Sequence, residues 1–185
     1  RAIRARLSPA VTLIAVVKAN AYGHGLLPCA RVMLDSGADR LAVSRVGEAL
    51  ALRAGGITAP ILTLGYAAPD EAAGAVAHDI TLAVGDRPAA AALAEQAAAQ
   101  GREARLHVKV DTGMGRFGLL PEEVVPFLDW LSTLPGVTAE GIFTHFATAD
   151  NADKSYVHVQ MAVFRQVLAA AEAAGHALPL RHAAN

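Results

Sequence analysis

The chain of 185 residues has a single cysteine, Cys29, so it can form no internal disulfide. That thiol sits among apolar residues of a helical segment, where an inert buried sulfhydryl is the usual occupant, and no role is assigned to it. No excess of one charge is present either. Asp and Glu number 17 against 16 Lys and Arg, and the two signs are interspersed, so no broad basic face can displace counterions from a nucleic acid. No window reaches the roughly eighteen uninterrupted apolar residues that cross a bilayer. The opening Arg1-Ala2-Ile3-Arg4-Ala5-Arg6 leads into no signal-type apolar core, so a cytoplasmic location away from membranes is expected. The hydrophobic fraction of 54% owes much to alanine, as in the runs Ala89–Ala92 and Ala97–Ala99, and alanine favours helix.

What is present is an alternation. Short apolar runs at Leu13–Val17, Arg40–Val43, Pro60–Leu64, Ile80–Val84, Arg105–Val110, Val137–Phe143 and Leu178–His182 read as buried strands. Between them, segments of helical period cover Leu26–Ser36, Val46–Ala54, Pro69–Ala77, Arg87–Gln100, Pro121–Ser132 and Asp153–Ala174. Pro69, Pro88 and Pro121 suit first helical turns, Asp153 suits an N-cap, and Gly37, Gly55, Gly101 and Gly175 suit helix ends. The last helix places Val157, Met161, Phe164 and Leu168 on one stripe, read as core packing.

This order predicts a parallel α/β fold, either open or closed into a (β/α)8 barrel. Units of similar length without a linker favour the barrel, as do the polar residues Lys18, Ser44, Asp111 and His145 after strands. Six βα units and a seventh strand fall short of the eight that close such a barrel. The sequence is therefore expected to be an incomplete barrel from a longer gene product.

Four segments carry chemistry. In Val17-Lys18-Ala19-Asn20-Ala21-Tyr22-Gly23-His24-Gly25 a buried strand delivers a lysine into a glycine-bearing loop. A lysine after a strand commonly just extends to water. Partly desolvated, however, its neutral amine can form a Schiff base with an aldehyde. In Lys109-Val110-Asp111-Thr112-Gly113-Met114-Gly115-Arg116 a strand ends among charges, which could amount only to a loop ion pair between Asp111 and Arg116. Thr144-His145-Phe146-Ala147-Thr148-Ala149-Asp150 puts His145 at a strand end, where many histidines are merely structural, and His182-Ala183-Ala184-Asn185 closes the chain. No His-x-x-x-His pair suggests a metal site, and no G-x-G-x-x-G fingerprint suggests a dinucleotide.

The first segment is similar to the pyridoxal 5'-phosphate (PLP) attachment motif of bacterial alanine racemases, and the other three resemble segments of the same family. That resemblance implies a PLP-binding barrel and a homodimeric isomerase that interconverts L- and D-alanine, supplying D-alanine as a peptidoglycan precursor. It makes Lys18 the catalytic, cofactor-bearing lysine and Tyr22 a donor to a cofactor oxygen. Arg116 would contact both the cofactor's phenolic oxygen and the substrate carboxylate, and Lys109 would be a candidate for carbamylation. His145 and Asn185 would be further cofactor-site residues. Racemisation needs two bases, and the resemblance places the second, a tyrosine, in a C-terminal β-domain of the partner subunit; Tyr22, Tyr66 and Tyr156 do not match its motif. The arginine facing the pyridine nitrogen also belongs beyond Asn185, so this stretch alone is expected to be inactive. A non-catalytic PLP-binding barrel and a PLP lyase or decarboxylase are the competing readings.

Overall fold

A computed structural model describes residues 1–185. Its strands are β1 (Ile14–Val16), β2 (Arg40–Val43), β3 (Ile61–Thr63), β4 (Ile80–Val84), β5 (Ala104–Val110), β6 (Val137–His145) and β7 (Leu180–Ala184). Its helices are α1 (Lys18–Tyr22), α2 (Leu26–Asp35), α3 (Val46–Ala54), α4 (Ala72–Ala77), α5 (Arg87–Gln100), α6 (Val124–Leu131) and α7 (Ser155–Ala173). All the expected strands are present. The helical segments expected from Pro69 and Pro121 open as 3₁₀ turns, Pro69–Glu71 and Pro121–Glu123. There Glu71 and Glu123 reach back to accept the N–H of Ala68 and Leu120 at 2.9 and 2.8 Å, which tightens the first turn. No helix is long and apolar enough to cross a membrane.

The chain divides into two compact units, Arg1–Ala83 and Val84–Asn185. In the first, β1, β2, β3 and β4 pair in sequence order, all parallel. In the second, β5, β6 and β7 do the same. Parallel strands covered by helices are buried, as β2, β3, β4 and β5 are, whereas β1, which opens the first run, and β7, which closes the second, were also expected to be buried and have no buried residue. Every residue of β4 is buried, as is every residue of β5 except Arg105. Leu41, Leu52, Ile61 and Leu62 form the centre of the first unit, and Leu93, Leu106, Val108 and Ile142 that of the second.

Local punctuation follows from residue type. Asp86 caps α5 by accepting the N–H of Ala89 at 2.9 Å, and Gly101, at φ 61°, ends it in the left-handed conformation. Asp153 accepts the N–H of Ser155 at 2.8 Å, although the N-cap position of α7 is Lys154. The buried line of α7 is Gln160, Phe164, Val167 and Ala171, one step round from the expected stripe, with Val157, Met161 and Leu168 half-buried beside it. An apolar reading skips Gln160, and its burial requires that its amide be hydrogen-bonded. Cys29 is half-buried rather than enclosed, with its Sγ 3.6 Å from the His24 carbonyl oxygen.

Alternation along β5 sends Leu106, Val108 and Val110 to one face and His107 and Lys109 to the other, and all five are buried. His107 lies against β6 at Gly141, where a β-carbon would stand 2.6 Å from the imidazole; the β5–β6 register shifts between Leu106 and His107. Gly141→Ala is therefore expected to lower stability by about 1–3 kcal/mol through overpacking. Urea unfolding of the full-length protein measures this, and an unchanged midpoint would contradict the contact.

Candidate functional site

In the first unit, β1 leads through the buried Val17 to Lys18, which is half-buried. The turn that follows is left-handed: Ala19, Asn20, Ala21 and Tyr22 have φ of 51°, 55°, 53° and 54°. Such a turn costs L-residues roughly 1–2 kcal/mol each, so the surroundings must impose it. The carboxylate of Glu48 on α3 does so. Its Oε1 accepts the N–H of Ala19 at 2.6 Å, and its Oε2 accepts those of Ser44 and Arg45 at 2.8 and 3.1 Å. Asn20 adds a second restraint: its Oδ1 accepts the N–H of Leu26 at 2.8 Å and its carbonyl that of Gly25 at 2.9 Å. Backbone strain held in this way clusters at functional sites, and here it lies next to the Lys18 amine. Tyr22, at the end of the turn, is 61% exposed. The sequence reading missed Glu48, whose only local signal is that of a glutamate in a first helical turn.

In the second unit, β5 ends in a loop organised by Asp111. Its carboxylate accepts the backbone N–H groups of Gly113, Gly115 and Arg116 at 2.9, 3.1 and 3.2 Å. Burial pushes this carboxyl up, but the N–H groups of Gly113, Gly115 and Met114, with Lys109, outweigh it and hold the group below the usual carboxylate range. Asp111 thus engages the main chain of Arg116, and the Arg116 side chain is exposed. Lys109 is 2% exposed, with its ammonium 5.5 Å from the ring centre of Phe143 and 5.8 Å from that of Phe117. Burial lowers its proton affinity most; Asp111 opposes this and Arg116 adds to it. Gly118 makes room for it, since a β-carbon there would come within 2.9 Å of Lys109 Cγ. His145, at the end of β6, is half-buried, and its carbonyl accepts from Gln160 Nε2 at 3.2 Å. Asn185 follows β7 and is exposed.

A chain of side chains unforeseen from sequence lies beside Lys109. His107 Nε2 is 3.3 Å from Glu140 Oε1, and His107 Nδ1 is 2.9 Å from His182 Nε2. His182 stacks on Phe143 with ring centres 4.7 Å apart. The Glu140 carboxylate can only accept, so His107 donates to it from Nε2. Burial, with His107 adding to it, lowers the His182 pKa from 6.5 to about 4. Because the folded value is depressed, the unfolded chain binds the extra proton first as pH falls. The contribution is complete above 6.5 and is lost as pH drops toward 4, by on the order of 3 kcal/mol. Urea midpoints of the full-length protein across that interval should fall, and should fall less in His182→Gln. Equal slopes would contradict this account.

The fold and these residues define an α/β protein of parallel strands whose strand-end loops carry an amine on a strained turn and an exposed guanidinium. Residues 1–185 match the family model described as alanine racemase, N-terminal domain, and the chain belongs to that family. An alanine racemase of Desulforamulus reducens is 47% identical over 184 residues, covering 99% of this chain and 50% of its own length. A solved alanine racemase of Clostridium difficile 630 superposes with a TM-score of 0.94 at 36% identity, over 98% of this chain and 50% of that one. A histidine racemase of Leuconostoc mesenteroides subsp. sake superposes with a TM-score of 0.82 at 34% identity, over 94% of this chain and 46% of that one. The chain thus spans about half the length of the curated relatives it matches. Its fold class is that of the alanine racemase N-terminal barrel domain, as the sequence led us to expect.

Proposed function

We propose that the full-length protein containing this chain is a PLP-dependent alanine racemase. The observation that carries the proposal is Lys18 itself, half-buried at the end of β1 on a left-handed turn clamped through Glu48. The donor set suits the cofactor: a primary amine can take its aldehyde, and a phenol and a guanidinium can donate to its anionic oxygens. Bound PLP supplies delocalisation of the electrons left at Cα when a proton is removed.

The remaining work falls to the side chains. Lys18 Nζ would hold the cofactor through its aldehyde and would also be the group that moves the proton on the D-alanine face. Tyr22 donates its hydroxyl to a cofactor oxygen. Arg116, exposed on a loop shaped by Asp111, offers planar donors to the phenolic oxygen and the substrate carboxylate. Lys109, whose amine burial keeps closer to neutrality, adds to CO2 with loss of a proton, giving a carbamate whose negative charge orients Arg116. His145 and Asn185 complete the cofactor contacts assigned to this chain. The second base is assigned to a partner subunit of a homodimer, so racemisation belongs to the full-length protein and not to these residues alone. A cytoplasmic enzyme supplying D-alanine for cell-wall precursors is the corresponding cellular role.

Enantiomers have equal free energies, so a racemase must carry either pure enantiomer to a 1:1 mixture. Full-length protein with PLP is expected to do this with L-alanine, as read by chiral chromatography. An unchanged L-alanine pool would favour the non-catalytic reading, and loss of alanine to other products would favour the lyase or decarboxylase reading. Serine and histidine run in parallel test substrate preference, since a histidine racemase of Leuconostoc mesenteroides shares the fold.

A further inference from the structure

We propose that Gln160 is a positioning residue that sets the Arg116 loop and the His145 strand end as one piece; this rests on the reading of those two residues as cofactor contacts. Gln160 is wholly buried in the middle of the first half of α7, and its amide is used on both sides. Oε1 accepts the N–H of Ala147 at 2.9 Å, while Nε2 donates to the carbonyl of His145 and to Thr112 Oγ1, both at 3.2 Å. The direction of every bond is determined. Thr144 Oγ1 donates to the Val110 carbonyl at 2.9 Å, so in its 2.8 Å contact with Thr112 it accepts, and the Thr112 hydroxyl in turn accepts from Gln160.

A single directed chain therefore runs from α7 through β6 to the end of β5. Tyr156, one turn earlier on α7, donates its hydroxyl to the Gly113 carbonyl at 2.8 Å, holding the next residue of the same loop. A helix that needed only packing at this place would carry leucine or methionine, because a buried amide that loses its partners costs about 1–3 kcal/mol. The amide is instead matched to one residue of the loop leading to Arg116 and to the backbone on both sides of Phe146.

The test uses full-length protein with Gln160→Glu, which keeps the acceptor for Ala147 and loses both donors, and Gln160→Met, which loses both functions at similar size. Val167→Ala, a buried apolar residue of the same helix, serves as the control for destabilisation. Without cofactor, amide hydrogen exchange is expected to quicken together in residues 112–116 and 145–148 in both Gln160 variants, and in neither segment in Val167→Ala. A change in only one segment, or the same change in the control, overturns the proposal. With PLP, Gln160→Glu is expected to raise Kd about tenfold beside Arg116 but less than about twofold in Arg116→Lys, the non-additivity of residues acting through one another. Equal fold-changes in the two backgrounds overturn it. Wild-type protein that neither binds PLP nor racemises alanine refutes the functional reading alone, since the exchange measurement needs neither.

Discussion

Lys18→Arg in the full-length protein is expected to abolish covalent attachment of PLP and to lower racemisation by at least the roughly 10²- to 10⁴-fold usual for a positioned proton-transfer group. Arginine keeps the length and charge of the side chain, but its guanidinium stays protonated and supplies no neutral amine to the aldehyde. The effect should be almost purely functional. The turn is clamped through the N–H of Ala19 and the side chain of Asn20, neither of which the substitution alters. The urea midpoint should therefore move little while turnover collapses. Turnover within about tenfold of wild type, a change of only about 1.4 kcal/mol in barrier, would remove Lys18 from the mechanism.

Arg116→Lys should have the next largest effect, a fall of about 10²- to 10³-fold in kcat, comparable to losing one directed donor at a reacting centre. Lysine retains the charge but loses the flat array of donors that can meet two oxygens at once. Arg116 is exposed, and Asp111 holds it through its backbone N–H, which lysine also has. Stability should consequently change by less than about 0.5 kcal/mol, as for other exposed positions. If Tm and turnover fell together, Arg116 would be a structural residue of the loop.

The strands and helices were legible because each carries its own signal. A fully buried strand such as Ile80–Val84 is a short apolar run, and a helix such as Arg87–Gln100 is rich in alanine and bracketed by Asp86 and Gly101. The candidate site residues could be proposed from sequence because they cluster there, as between Lys18 and Gly25 and between Lys109 and Gly118. Long-range partners were not. Glu48 lies 29 residues from Ala19, Gln160 lies 48 from Thr112, and His182 lies 75 from His107. Each is a polar side chain whose purpose is defined only by the backbone group or ring it meets after folding, so no local pattern marks it. The left-handed turn was hidden for a similar reason: Asn20 tolerates that conformation, but Ala19 and Ala21 disfavour it, and Glu48 imposes it from another element. The burial of His107 and Lys109 also contradicts composition, since a strand interior that reads as apolar carries two ionisable groups on one of its faces.

The most direct test of the account is to reduce full-length, PLP-loaded protein with borohydride and map the modified peptide by mass spectrometry. The phosphopyridoxyl group should be found on Lys18, in the peptide containing Ala19-Asn20-Ala21-Tyr22, and should be absent from Lys18→Arg prepared in the same way. A label on Lys109 or Lys154, or stoichiometric PLP binding with no lysine labelled, would contradict the assignment of Lys18.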